Sequence, residues 1–496
     1  MLFVHSSALF TLESNMAKRF QRIAPSLAGV DAAGVETFLD RVDAEVGGLH
    51  SVMMLRDGNV FAECWWNPYK PDFQHTLYSL SKSFTSTAAG FAMLEGKLRP
   101  TDPVIKFFPD KLPANVSANL QAMQVQHLLM MGTGHGTEPS ALLQSDPNAD
   151  WVKVFLNHPV DFTPGTHFVY NSAATFMVSA IVQKVTGQTV LDYLSPRLFR
   201  PLGIENPVWE TNPAGITAGG WGLHIRTEDI AALGELYRNK GVWKGRRILP
   251  RSFVEAATQK QISNGNDANS DWAQGYGYQF WRCRNNGFRG DGAFGQYCLV
   301  FPDKQLTVAI TSGVADMQRV LDILYATVLP AVGASTNTPA DKRLAERTRK
   351  AEVPVPKAVT SRVRLPIGKT YAFDANAYGM ESIRFAAAGG GVEVTVNRNS
   401  NEQTLLVMDK GWKVTDTTWE VGLNRLQTEG HTYRNAARGA WTSASVYSIK
   451  NYYVEEPYIQ SIDLSFGPGT LSWTSSFIAM FGGDGRITAS AREVKS

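Results

Sequence analysis

The string Ser79-Leu80-Ser81-Lys82 opens an apolar-periodic stretch, SKSFTSTAAGFAMLEGKL, that reads as a helix. Residues i and i+3 share a helix face, so this spacing can bring a hydroxyl and an amine together. A serine hydroxyl is a weak nucleophile near neutral pH and needs a base. Lysine can serve only if burial or a neighbouring cation lowers its pKa. A position early in a helix also offers free backbone N–H groups to developing negative charge. Ser79 and Lys82 form the only Ser-x-x-Lys in the chain. By itself the motif is weak, and its weight comes from its companions. About 90 residues on lies His167-Phe168-Val169-Tyr170-Asn171-Ser172 at the start of another helical stretch, followed later by Gly290-Asp291-Gly292-Ala293-Phe294-Gly295-Gln296-Tyr297. The glycines from 290 to 295 match GxGxxG, but an extended hairpin follows where a dinucleotide site needs a helix, so nucleotide binding is rejected.

These residues need a scaffold. Segment 29–47 has helical periodicity. Segment 51–66 places two apolar runs around Asp57-Gly58, a hairpin turn, and 296–313 gives a second pair around Pro302-Asp303, followed by the helix-like 317–332. Strands at both ends with long helical stretches between them, including 171–187 closing at Gly187, predict an α+β fold: an antiparallel sheet flanked by helices, with a helical insertion lobe. From about 366 the pattern changes to short β-branched and aromatic runs (391–398, 404–409, 412–422, 445–455, 470–477), which predict an all-β sandwich or barrel. The expected division is a catalytic domain at 1–335, a Pro-containing basic linker at 336–365 with a short helical possibility, and a β-rich domain at 366–496. No repeat of fixed period is present.

Composition narrows the functional classes. The 496 residues are 44% hydrophobic and 19% charged, with 48 Lys plus Arg against 45 Asp plus Glu, a net charge of +3. That balance gives no electrostatic reason to expect nucleic acid. Cys64, Cys283 and Cys298 cannot all pair and have no metal-ligand spacing, so neither a disulfide framework nor a metal site is expected. No apolar run approaches the ~18–20 residues of a membrane span, and the amino end lacks the basic start of a secretory signal. The expectation is therefore a cytoplasmic protein. No Gly-x-Ser-x-Gly elbow or His-Glu-x-x-His string offers another hydrolase reading.

In order and spacing, Ser79/Lys82, Tyr170-Asn171-Ser172 and Gly290-Asp291-Gly292 resemble the three motifs of the serine β-lactamase and penicillin-binding-protein superfamily. The resemblance is to the branch that includes class C-like β-lactamases, family VIII carboxylesterases, D-stereospecific peptidases and nylon-oligomer amidases. Intervening text supports it, including HLLMMGTGHG (127–136), LFRPLGI (198–204) and GGWGLHIRTEDIAALGELY (219–237), so that most of residues 30–335 are covered. The resemblance implies a β-lactamase/transpeptidase-like fold and a hydrolase that cleaves an ester or amide through an acyl-enzyme, without cofactor or metal. It implies Ser79 as nucleophile, Lys82 sharing its proton, and Tyr170 as base and then acid. The oxyanion would be bound by the N–H groups of Ser79 and Ala293, beside Gly292, with Ser172 and Asp291 lining the substrate site.

Two departures stand out. Asn171-Ser172 shifts the amide that often follows the tyrosine, and Gly290-Asp291-Gly292 lacks the cation that holds a β-lactam or peptide carboxylate, leaving Arg289 or Arg226 to supply one. Both weaken a β-lactamase reading relative to an esterase or amidase acting on a small molecule or short peptide. A D-amino-acid peptidase is the alternative within the class, and a non-catalytic sensor that retains the pocket is the alternative outside it. His135, His167 and His224 are expected to be structural. Trp221 and the aromatics of GYGYQFW (275–281) are either an acyl pocket or core, which burial decides. Oligomeric state is not legible.

Overall fold

The computed structural model describes residues 19–140, 149–336, 338–417, 419, 433–478 and 485–494. The amino-terminal stretch read above for a secretory signal lies outside them. After α1 (Ala32–Glu45), strands β1 (Leu49–Arg56) and β2 (Asn59–Trp65) form the first expected hairpin. Its turn residues Asp57 and Gly58 both have positive φ, 47° and 78°, the backbone that a two-residue hairpin requires. Helices α2 (Ser81–Leu94), α3 (Ser172–Thr186) and α4 (Thr227–Arg238) follow. The chain then returns through β3 (Trp281–Arg282), β4 (Phe288–Gly292), β5 (Gln296–Phe301) and β6 (Leu306–Ser312) to α5 (Met317–Ala331). The sheet is antiparallel with order β2-β1-β6-β5-β4-β3. Strands from the two ends of the region therefore meet at its centre, where β1 pairs with β6.

Alternation along the strands sorts side chains onto two faces. Met53, Leu55, Cys298, Val300 and Ala309 join the core that contains α2, α3 and α4. Their neighbours Val52, Met54, Tyr297, Leu299, Val308 and Ile310 join the core that contains α1 and α5. Because both faces are covered, β6 is buried at all seven positions, its hydroxyl residues Thr307, Thr311 and Ser312 included. Helix α3 is held by the Asn171 side chain accepting from Ala174 N–H (3.0 Å) and closes at Gly187 with φ 72°.

The segment expected as a linker carries a helix, α6 (Thr338–Arg349), whose Ala340 and Leu344 are buried in the same core as α1. The charge-rich string DKRLAERTRK hides this amphipathic stripe, because only two residues of the helix are buried. Beyond it, ten strands among the described residues, from Thr370–Phe373 to Ile487–Glu493, form one sheet. A parallel pairing of Val407 with Ala437 and Met408 with Arg438 closes it into a barrel. The barrel is not detached: Ala436, Tyr452, Val454 and Ile459 are buried in the core that also contains α1 and α5.

Candidate active site

Ser79 sits in a one-turn 3-10 helix, Tyr78–Leu80, immediately ahead of α2. The expected helical spacing is therefore realised across the junction of two helix types. Tyr78 has φ +46°, a left-handed backbone that is uncommon for a bulky residue and turns the chain sharply into Ser79. The turn is pinned from below. Leu77 N–H donates to Leu223 O (2.8 Å), and Leu223 N–H donates to Ser81 Oγ (3.1 Å). Strand β4 lies alongside: a Cβ at Gly290 would meet Leu80 and Ser83, and one at Gly292 would run into the Leu77 carbonyl. Close backbone approach thus explains glycine at 292, and packed side chains leave no room for a Cβ at 290.

Lys82 is 1% exposed. Its ammonium donates to Ser79 Oγ (3.0 Å), Ser172 Oγ (3.0 Å) and Gly220 O (2.8 Å), which accounts for all three of its hydrogens. It lies 4.8 Å from the centre of the Tyr170 ring. Burial lowers the Lys82 pKa to about 7, against the opposing pull of Glu138 and Asp291. A buried ammonium without a direct carboxylate partner loses more hydration than three neutral acceptors return.

Tyr170 is half-buried, stacked on Trp281 (5.2 Å, 23°) and edge-on to Tyr276 (6.3 Å). Burial pushes its phenol well above the usual range and the nearby Asp291 adds to the effect, while a hydrogen bond with Ser79 works in the opposite direction. Ser172 joins the group through Lys82, and its N–H donates to Glu138 Oε1 (2.5 Å). Asp291 is nearly buried and paired with wholly buried Arg289, Nε to Oδ2, at 2.8 Å. Burial lifts the Asp291 carboxyl, and Arg289 draws it back down. Ala293 follows Gly292 in the turn between β4 and β5 and packs against the barrel core.

The structure therefore brings Ser79, Lys82, Tyr170 and Ser172 together, with Asp291, Gly292 and Ala293 on the adjoining strand and turn. It corrects the expected cation. Arg289 is sealed on Asp291, and Arg226 bonds Asp229 and Glu205 at the start of α4, so neither is left to meet a substrate carboxylate. His135 is buried against Thr133, Asn171 and Phe155, and burial lowers its pKa to about 4. His167 stacks on Phe162 and His224 faces Glu210, as structural histidines do. Tyr276 and Phe280 are core, whereas Trp221 keeps an open edge. Glu138, Gly220 and the stacking role of Trp281 were not singled out by sequence. Glu138 lies in an unremarkable Thr-Glu-Pro string, and Gly220 contributes only a carbonyl, which no side-chain pattern marks.

Residues 40–329 match the family described as Beta-lactamase, and the chain belongs to that family. It is similar to the 6-aminohexanoate-dimer hydrolase of Paenarthrobacter ureafaciens, 26% identical over 270 residues that make up 50% of this chain and 69% of that one. It is also similar to the Beta-lactamase of Escherichia coli (strain K12), 24% identical over 42% of this chain and 59% of that one. Among solved structures, EstCE1, described as a hydrolase with promiscuous acyltransferase activity, shares the fold over 60% of this chain and 99% of its own, at 17% identity and a TM-score of 0.51. The protein is thus a hydrolase of the serine β-lactamase superfamily. None of the described helices is long and apolar enough to cross a membrane.

Proposed function

We propose that Ser79 is the nucleophile of an ester- or amide-cleaving hydrolase that works through an acyl-enzyme. The observation that carries this is the buried Lys82 amine, 3.0 Å from Ser79 Oγ and with its pKa lowered to about 7. Near neutral pH a large fraction of Lys82 is the free amine, able to take the Ser79 proton as Oγ attacks the carbonyl carbon. The oxyanion so formed is received by the N–H groups of Ser79 and Ala293. Tyr170, held protonated by burial and hydrogen-bonded to Ser79, is placed to give its proton to the departing alkoxide or amine. This electrostatic balance favours lysine as the base and tyrosine as the acid, rather than a standing phenolate. Water then attacks the ester carbonyl of the acyl-enzyme, giving a proton to the Tyr170 phenolate left by the first step, and the Lys82 ammonium returns a proton to Ser79 Oγ as the acid departs.

For the substrate, the absence of a free cation beside Asp291 among the described residues favours an uncharged ester or amide over one that carries a carboxylate next to the scissile bond. Similarity to the 6-aminohexanoate-dimer hydrolase supports including amides. The test is turnover of a panel of p-nitrophenyl esters and amino-acid amides by the full chain and its Ser79→Ala variant. Complete loss in the folded variant is expected, and retained turnover would refute the assignment. Acylation without turnover on the whole panel would favour a sensor.

A further inference from the structure

The turn 454–458 joins barrel strands Val446–Tyr453 and Ile459–Gly467 and meets the other lobe at three points. Glu455 O accepts from Thr76 N–H at 2.9 Å, three residues before Ser79. The Pro457 carbonyl fills the space that a side chain would take at Gly313, at the end of β6. The hydroxyl of Tyr458 is hydrogen-bonded to that of Tyr78. Tyr458 also lies 6.3 Å from Phe294 at 67°, and Phe294 lies 5.5 Å from Tyr78 at 82°, so the three rings form one edge-to-face cluster.

Tyr78 immediately precedes Ser79, and Phe294 immediately follows Ala293. Both have left-handed backbone, φ 46° and 64°. Non-glycine residues held there are strained and persist only where packing over-determines them. The two strained residues flank the two N–H groups assigned to the oxyanion, and Tyr458, from the barrel, touches both. Tyr458 is itself only 4% exposed, which excludes it as an open substrate wall.

We infer that Tyr458 is a positioning residue: through Tyr78 and Phe294, the barrel turn fixes the spacing of the Ser79 and Ala293 N–H groups. This rests on the assignment of those groups as oxyanion donors. The barrel would then be a structural part of the catalytic site and not a separate appendage. Misplacing an oxyanion donor weakens binding of the transition state and leaves ground-state binding nearly untouched.

The experiment compares the full chain with Tyr458→Phe, which removes only the hydroxyl, with Tyr458→Leu, which also removes the ring, and with Ile462→Ala, a buried change in the same barrel core that leaves the Tyr458 ring and hydroxyl in place. The readouts are kcat, KM and the rate of phosphonate inactivation, with thermal unfolding alongside. We expect kcat to fall about threefold to tenfold for Tyr458→Phe and about tenfold further for Tyr458→Leu, with KM within about twofold and inactivation slowed in parallel. Ile462→Ala should keep kcat. Wild-type kcat in Tyr458→Phe, a rise in KM in place of the fall in kcat, or an equal fall in Ile462→Ala would overturn the inference. Tyr458→Phe alone decides if Tyr458→Leu does not fold. Turnover in Ser79→Ala would strike the nucleophile assignment instead, and an inactive Ser79→Ala beside normal Tyr458 variants would strike only this inference.

Discussion

Replacing Lys82 with arginine keeps the charge but removes the free amine, since a guanidinium stays protonated across the accessible range. The structure gives the wild-type profile that this variant should lose. With burial holding Lys82 at about 7, about one-eleventh of the chain carries the neutral amine at pH 6 and about ten-elevenths at pH 8. If the amine is the base, kcat/KM rises about tenfold between those values with unit slope below pH 7, and gains only about 10% more by pH 9. Lys82→Arg should lose about 10²–10⁴-fold in kcat and show no rise near pH 7. The assay is initial rate on a p-nitrophenyl ester read at the isosbestic wavelength of the released phenol, with the Ser79→Ala rate subtracted for hydroxide. A wild-type profile flat from pH 6 to 8, or one that rises only above pH 9, would refute the assignment of an amine freed by burial.

The same depressed pKa makes a stability prediction. The unfolded chain binds a proton at Lys82 between about pH 7 and 10.5 that the folded chain does not, so this group's contribution to stability rises with pH across that window. Thermal scans of Lys82→Met should show its largest gain over wild type near pH 6 and a smaller one near pH 9. Tyr170→Phe should lower kcat by roughly 10²-fold or more, and amide turnover should suffer more than that of p-nitrophenyl esters, whose leaving group needs no proton. Asp291→Asn strands the buried Arg289 guanidinium, and denaturant titration should register about 3–5 kcal/mol of lost stability. Gly292→Ala drives a Cβ into the Leu77 carbonyl and should cost both melting temperature and kcat.

Much of this was legible because the informative residues obey local rules. The turns at Asp57-Gly58 and Pro302-Asp303 and the cap at Gly187 are each set by neighbours in sequence, and both hairpins and α3 form where those rules place them. The i, i+3 spacing anticipated the approach of Ser79 and Lys82, and the family resemblance implied that of Tyr170. What escaped the sequence is long-range. The closure of the barrel through Val407 and Ala437 depends on strand order, which alternation does not encode, so a sandwich and a barrel read alike. Helix α6 was legible as a short helical possibility, but its two buried positions, Ala340 and Leu344, are too few to mark it as packed in the core with α1. The pairing of Arg289 with Asp291 follows from both lying on one face of β4, two residues apart, and a strand's sequence does not tell a cation that meets its own neighbour from one that meets substrate. Tyr458 lies 380 residues from Tyr78, and no local pattern marks it.

The central claim is that one alcohol is made reactive by a buried amine, and the most direct test is to map a serine-reactive phosphonate by mass spectrometry of the digested protein. A single adduct on Ser79, absent in Ser79→Ala and strongly slowed in Lys82→Arg, is the predicted result. An adduct on another residue, or labelling unchanged by either substitution, would contradict it.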